Sequence, residues 1–216
     1  LDRAGLVGED GATHHGAFDL ALLRGVPNLT IAAPMDATEL RDLMYTASAG
    51  KDGMWVIRYP RGGSFPAKVL DEPLTPVEPG RGRILREPEG ARVAVVSVGA
   101  IGTEAQAAVS SLADEGIAAA HYDLRFVKPL DTALLERIGE KGYRYVVTVE
   151  DGVIAGGAGS AVLEYFSDRG FLTGGLRVVR LGLPDRFVEH GTVGQLRALC
   201  GIDAASIADR IRSLAV

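Results

Sequence analysis

The first residues of the sequence, LDRAGLVGEDGATHHGAFD, place charged and proton-transferring side chains among glycines. Arg3 supplies a planar guanidinium that matches phosphate or carboxylate oxygens. His14 can exchange a proton near neutral pH, and Asp10 can orient a histidine or bind a substrate hydroxyl. Glycine lets the backbone approach a ligand closely. The stretch therefore predicts a ligand-binding loop, although a solvated polar loop with Arg3 in a surface ion pair has the same composition.

A second pair of cationic side chains occurs in RYPRGG, residues 58–63. The residues before it favour a strand, and ligands of open α/β sheets bind beyond the carboxyl ends of strands. Arg61 follows the strand and is predicted to meet an anionic group there. Arg58 lies within the strand, and we interpret it as a side chain that points to solvent.

Three other motifs carry weaker functional signals. In EDGVIAGGAGSAV, residues 150–162, glycines lie between a predicted strand and a predicted helix. The segment lacks both the GxGxxG order and the GK[ST] ending of nucleotide-binding loops. We therefore interpret its glycines as part of a tight turn. In RFVKPLD, Asp131 predicts the start of a helix. LGLPDRFVEHG is interpreted as mainly structural, with His190 as a candidate to face a site or a subunit interface.

Strand-like and helix-like segments alternate along the chain, which predicts an α/β fold with a parallel sheet and helices on both faces. Asp36 with Glu39, and Thr103 with Gln106, have the spacing of capping boxes at helix starts. Prolines between residues 62 and 90 predict an extended linker, with a domain boundary near residue 80. Strands are predicted at residues 29–33, 55–59, 93–98, 117–122, 145–149 and 176–181. Helices are predicted at residues 17–23, after 36, after 103, at 130–138, at 159–166 and twice near the end.

Composition narrows the classes of protein. The chain has 216 residues, 47% of them hydrophobic, and a net charge of -5, which argues against a nucleic-acid partner and against disorder. No apolar run is long enough to span a membrane. The single Cys200 favours a reducing, cytoplasmic setting. The four histidines are too scattered to predict a metal cluster, and His121, within a strand, is interpreted as structural.

Six motifs occur together and in order: DRAGLVGEDGATHHGAFD, LRGVPNL, RYPRGG, RFVKPLD, VEDGVIAGGAGSAVLEY and LGLPDRFVEHG. In this combination the chain resembles the carboxyl-terminal part of the 1-deoxy-D-xylulose-5-phosphate synthase family, which belongs to the transketolase-like thiamine-diphosphate superfamily. The resemblance implies that residues 1–80 are the end of a pyrimidine-binding domain plus a linker. Residues 81–216 would then be a complete transketolase C-terminal domain with a mainly parallel sheet.

The resemblance also implies an activity. Enzymes of this family are transferases that condense pyruvate with D-glyceraldehyde 3-phosphate to 1-deoxy-D-xylulose 5-phosphate and CO2, the first step of the non-mevalonate isoprenoid pathway. The product also feeds thiamine synthesis. The implied cofactors are thiamine diphosphate and Mg²⁺, and the implied assembly is a cytoplasmic homodimer.

Site roles carry over where the motifs match. Arg3 and Arg61 resemble the arginines that hold the aldehyde phosphate. Asp10 and His14 resemble the pair that lines the substrate pocket, with His14 moving protons, whereas His15 receives no role. Most cofactor and metal ligands of the family lie before Leu1, so the chain is expected to need an amino-terminal portion and to be inactive alone.

Two groups of alternatives stay open. A transketolase would use a sugar phosphate as donor, and a 2-oxoacid dehydrogenase beta subunit would pass its acyl group to lipoamide. A non-catalytic dimerisation or interaction module is an alternative of another class. The preferred donor substrate distinguishes the three enzymes from one another. Binding of a phosphorylated ligand that depends on Arg61 distinguishes an enzyme from a non-catalytic module.

Overall fold

A computed structural model describes residues 1–50, 53–62 and 71–215. Part of the predicted linker, residues 63–70 with the last glycine of RYPRGG, lies outside the described residues. Helices in the described ranges are α1 Asp19–Leu23, α2 Ala37–Ala49, α3 Gly102–Asp114, α4 Thr132–Glu140, α5 Ala158–Asp168, α6 Val193–Cys200 and α7 Ala204–Ala215. Strands are β1 Leu29–Ala32, β2 Met54–Ile57, β3 Arg83–Arg86, β4 Val93–Ser97, β5 Ala119–Asp123, β6 Phe126–Lys128, β7 Tyr145–Val153 and β8 Arg177–Leu183.

A small sheet with the order β2-β1-β6 is built from both parts of the chain. β1 pairs in parallel with β2, and Ile31 of β1 lies opposite Lys128 of the antiparallel β6. The sequence predicted only a helix start in this region. That prediction is correct for Asp131, whose carboxylate accepts the amide hydrogen of Leu134 at 2.8 Å, but the three residues of β6 were missed.

The larger sheet has the order β3-β5-β4-β7-β8, with β5, β4, β7 and β8 parallel and β3 antiparallel at one edge. It confirms the predicted α/β fold with a mainly parallel sheet. The predicted linker is wrong over β3, where residues 83–86 pair with β5. The strand was not predicted because two of its four residues are arginines, which interrupt the apolar pattern. Charged side chains are common on an edge strand.

The two faces of the larger sheet are both buried. In β4, Val93 and Val95 point into one apolar cluster, and Ala94 and Val96 point into the other. A strand buried on both faces is typical of parallel sheets with helices on each side, as predicted. None of the helices in the described part of the chain has the length and apolar character needed to cross a bilayer.

The two predicted helix caps have opposite outcomes. The Asp36 carboxylate accepts the amide hydrogen of Glu39 at 2.8 Å, which confirms the start of α2. The second prediction is wrong, because α3 begins at Gly102 and the hydroxyl of Thr103 donates to the carbonyl of Ala100 at 2.8 Å. The buried Ile101, with no exposed surface, fixes this helix start by packing instead of by a side-chain cap.

His121 is a buried structural residue, as interpreted from the sequence. Only 1% of the residue is exposed, and its Nε2 lies 2.9 Å from the hydroxyl oxygen of Ser97. Burial, with a smaller effect of the positive Arg83, lowers the pKa of His121 to about 4. The neutral ring is therefore the form that the fold accommodates.

We expect His121 to make this chain less stable as the pH falls from 6.5 towards 4. The unfolded state takes up a proton in this range and the folded state does not, so up to roughly 3 kcal/mol of unfolding free energy is lost. Urea unfolding at several pH values measures it, with His121→Asn as the non-titrating control. Equal pH slopes for the two proteins would contradict this assignment.

Candidate active site

The loop of residues 1–19 closes on itself through two glycines. The amide of Gly5 donates to the carbonyl of Gly16 at 3.0 Å, and the amide of Gly16 donates back to Gly5 at 3.0 Å. A Cβ on Gly16 would overlap the carbonyl oxygen of Arg3, so this crossing requires glycine. The amide of Ala4 also donates to the carbonyl of Tyr59 at 3.0 Å. The backbone beside Arg3 therefore runs next to the segment that leads to the RYPRGG arginines.

A direct contact joins two of the predicted site residues. Nη1 of Arg61 donates to Oδ2 of Asp10 in an ion pair, although the residues are 51 positions apart in sequence. The side chain of Arg61 is 49% exposed. Its other N–H groups have no partner among the described residues, so they can bind an anion from solvent.

The other two predicted residues lie in the same loop without touching this pair. His14 is exposed, its amide donates to the carbonyl of Gly11 at 3.0 Å, and its Nδ1 lies 2.9 Å from the hydroxyl of Thr13. Within the described ranges, the Asp10 carboxylate contacts Arg61 and not His14. Arg3 is exposed, and it has no ion pair with another described residue.

His15 holds the inside of the loop. Its Nδ1 accepts the amide hydrogen of Val7 at 3.1 Å, so the neutral ring carries its proton on Nε2. Nε2 is buried without a partner among the described residues. The ring lines a cavity of about 10 Å³ with Phe18 and Phe187, and this volume is about enough for one water molecule.

Arg58 does not point to solvent, which corrects the sequence interpretation. Only 1% of the residue is exposed, and its guanidinium forms ion pairs with Asp19, at 2.7 Å from Nε, and with Asp151. Its Nη2 donates to the carbonyl of Gly16 at 2.7 Å. Burial alone would lower the pKa of Arg58, but the two carboxylates hold it above its usual value. Burying a guanidinium is possible because the carboxylates of Asp19 and Asp151 supply opposite charge and hydrogen-bond acceptors.

The glycine-rich segment at residues 150–162 forms the tight turn that the sequence predicted. The Glu150 carboxylate accepts the amide hydrogens of Ala158 at 2.7 Å and Gly159 at 2.8 Å, so it occupies the amino terminus of α5. Burial raises the pKa of Glu150 to about 7. A Cβ on Gly157 or Gly159 would overlap side-chain oxygens of the sheet, which explains both glycines by packing.

The glycine-rich amino terminus of α5 is not open to a diphosphate. The glycine-rich helix terminus, where a phosphate would bind, already holds an internal carboxylate. Over the described ranges, no three His, Cys, Asp or Glu side chains are arranged to hold a metal ion. The exposed polar side chains here include the guanidinium of Arg61 and the imidazole of His14.

His190 lies beside the loop of residues 1–19. The neighbouring Gly191 donates its amide hydrogen to the carbonyl of Gly8 at 3.4 Å, and a Cβ on Gly11 would lie 3.4 Å from Cβ of His190. His190 itself is exposed. Residues 190–191 therefore support the loop from the side of the carboxyl-terminal domain.

Sequence reasoning missed the importance of Asp19 and Asp151. Asp19 is the last residue of the loop of residues 1–19, and the sequence assigned it no role. Asp151 follows the apolar core of β7, the kind of strand-end position that was used to single out Arg61. The same criterion would have found it.

We expect Gly16→Ala to destabilise the closed loop by about 1–3 kcal/mol, because the added Cβ would collide with a backbone carbonyl. Thermal unfolding of this chain measures the effect. Gly25→Ala is the matched control, since no atom lies within 4 Å of the position of its added Cβ. If both variants melt at the wild-type temperature, the close crossing at Gly16 is wrong.

Comparison with known protein families gives two matches. Residues 1–64 match the family described as the transketolase pyrimidine binding domain, and residues 80–207 match the transketolase C-terminal domain. Among solved structures, the inactive beta4 tetramer of a split gene transketolase has a TM-score of 0.78 and 32% identity. The match covers 94% of this chain and 62% of that one.

Curated relatives are more similar in sequence. A 1-deoxy-D-xylulose-5-phosphate synthase of Parabacteroides distasonis is 51% identical over 213 residues, which is 98% of this chain and 32% of the relative. The enzyme of the same name from Bacteroides thetaiotaomicron is 52% identical over 210 residues, 96% of this chain and 31% of the relative. The chain thus spans about a third of the length of the curated relatives it matches.

Proposed function

Because the chain belongs to the transketolase family, we propose that it is a carboxyl-terminal portion of a 1-deoxy-D-xylulose-5-phosphate synthase. This transferase joins pyruvate to D-glyceraldehyde 3-phosphate with loss of CO2. Identity of 51% to a synthase, against 32% to a transketolase structure, favours the synthase over a transketolase. The motifs around the exposed arginines point to the same enzyme.

The observation that carries this proposal is the contact between Arg61 and Asp10 beside the backbone of Arg3. A phosphate dianion is best held by more than one guanidinium, each offering parallel N–H groups. Arg61 keeps free donors on an exposed face, and Arg3 is exposed on the adjoining stretch. We assign the aldehyde phosphate to these two side chains.

Asp10 and His14 complete the proposed acceptor side of the site. Asp10 holds Arg61 in place and offers its carboxylate to a hydroxyl of the acceptor. The aldehyde oxygen gains a proton when it becomes a hydroxyl. Nδ1 of His14 is engaged by Thr13, so Nε2 is the atom that would supply this proton.

Enzymes of this family use thiamine diphosphate, which supplies the carbanion chemistry when bound. We propose that its ligands and those of Mg²⁺ lie mostly in an amino-terminal portion of the same enzyme. That portion would be joined to this chain or present as a companion chain. A homodimer in the cytoplasm is part of the same proposal.

We expect these 216 residues alone to show no synthase activity. The related split gene transketolase is an inactive beta4 tetramer, which supports this expectation by analogy. The measurement is formation of 1-deoxy-D-xylulose 5-phosphate by the purified chain with both substrates and both cofactors. Adding the amino-terminal portion should restore product formation, and turnover by the chain alone would contradict the expectation.

In the complete enzyme, we expect Arg61→Ala to raise KM for D-glyceraldehyde 3-phosphate by about tenfold or more, the cost of losing a charged hydrogen bond to phosphate. Steady-state kinetics with this aldehyde and with unphosphorylated D-glyceraldehyde provide the test. The variant should lose selectivity for the phosphorylated acceptor and react with D-glyceraldehyde nearly as wild type does.

Arg177→Ala is the matched control for this substitution. Arg177 is exposed at the first residue of β8, at the end of the strand opposite the proposed site. Its replacement should leave the kinetics with both aldehydes unaffected. Equal losses with both aldehydes in Arg61→Ala would remove the phosphate role from Arg61.

A further inference from the structure

A buried ion pair joins the segment after β2 to the larger sheet, next to the loop of residues 1–19. Arg58 follows β2 of the small sheet, and Asp151 belongs to β7 of the larger sheet. Nη1 of Arg58 donates to Oδ1 of Asp151, and Nη2 donates to the Asp151 carbonyl at 3.2 Å. Both residues are at most 2% exposed. The contact therefore crosses between the two sheets out of reach of solvent.

The same guanidinium reaches the far end of the loop. It donates to the carbonyl of Gly16 at 2.7 Å and to the carboxylate of Asp19 at 2.7 Å. Gly16 is one half of the pair that closes the loop. Arg58 is thus the shared donor between the loop closure and the carboxyl-terminal domain.

Asp151 also packs directly against the other half of the closure. A Cβ on Gly5 would lie 2.5 Å from Oδ2 of Asp151, so the carboxylate rests on the glycine backbone. Two residues further along β7, the amide of Val153 donates to the carbonyl of Ala17 at 2.9 Å. Both ends of the segment that carries Asp10 and His14 are therefore held by β7.

Arg58 is also close to Arg61 along the chain. Only Tyr59 and Pro60 separate it from Arg61, and the amide of Tyr59 donates to the carbonyl of Leu1 at 2.9 Å. A shift of Arg58 would move Arg61 relative to the loop that carries its partner Asp10. The proposed phosphate site is therefore linked through a short stretch of backbone to a buried ion pair.

We propose that Asp151 is a positioning residue, which through Arg58 sets the spacing between Arg61 and the loop of Asp10 and His14. The carboxyl-terminal domain would by this route tune the affinity for the phosphorylated acceptor. This inference rests on the proposed function, because it assigns the acceptor phosphate to that site. Displacement of a site by about 1 Å can cost about 100-fold in rate, so a small shift suffices.

The test is Asp151→Asn in the complete enzyme, which keeps the shape of the side chain and removes its charge. KM for D-glyceraldehyde 3-phosphate should rise about tenfold. KM for pyruvate should stay within about twofold of wild type, since the donor side is untouched. Asp168→Asn, at an exposed position at the end of α5, is the matched control.

A second readout does not depend on activity. Hydrogen exchange at the amides of Gly5 and Gly16 reports the closure of the loop, and exchange in β4 reports the whole domain. Asp151→Asn should speed exchange at the two glycines by about tenfold or more and leave β4 unchanged. If Asp151→Asn fails to fold, Asp19→Asn is the variant to use, because Asp19 is the more accessible of the two carboxylates. Asp19→Asn should speed hydrogen exchange at the amide of Gly16.

The outcomes separate the two proposals. If the wild-type enzyme does not use the phosphorylated aldehyde, the proposed function fails, while selective exchange at the glycines would still support positioning of the loop. If KM for the aldehyde is unchanged and exchange at Gly5 and Gly16 stays at the wild-type rate, the positioning role is overturned. Uniformly faster exchange through β4 would also overturn it, because Asp151 would then stabilise the fold as a whole.

Discussion

A guanidinium cannot be buried without negative partners, and the arrangement of this molecule follows from how Arg58 meets that constraint. Asp19 comes from the start of α1 and Asp151 from β7, so the charge of one arginine is shared between two parts of the chain. The carbonyl of Gly16 takes a further N–H group. Removing one carboxylate from such a cluster leaves a buried N–H donor of Arg58 without its charged acceptor, which is costly. The loop, the end of β2 and the larger sheet are therefore held in one geometry.

A second set of charges, with buried carboxylates and half-buried arginines, joins the same two parts. Glu39 of α2 forms an ion pair with Arg125, which lies between β5 and β6, and approaches Arg83 of β3 at 3.5 Å. Nε of Arg83 also donates to the Asp123 carboxylate at 3.0 Å. Burial, followed by the negative charge of Glu39, raises the pKa of Asp123 above its usual value. Together with the pairing of β1 and β6, these contacts carry the packing across the predicted boundary near residue 80.

Local patterns in the sequence predicted the regular elements well, because burial on both faces of β4 and the cap at Asp36 are properties of neighbouring residues. They failed where the partner is distant. β6 is a strand only because β1 lies beside it, and Arg58 is buried only because Asp151, 93 positions away, supplies a charge. At the site, motif resemblance selected Arg61 and Asp10, and the structure brings them into contact. The roles of these side chains towards substrate stay predictions, because a substrate contact is a property of the complex.

The most direct measurement is CO2 release from pyruvate by the complete enzyme, with thiamine diphosphate and Mg²⁺, in the presence and absence of D-glyceraldehyde 3-phosphate. We expect release that rises strongly with the aldehyde and is matched by formation of a pentulose phosphate. Release that is indifferent to the aldehyde, or no release at all, would contradict the proposed function. The phosphate roles of Arg3 and Arg61 would then have to be withdrawn in favour of a dehydrogenase-type subunit or another donor.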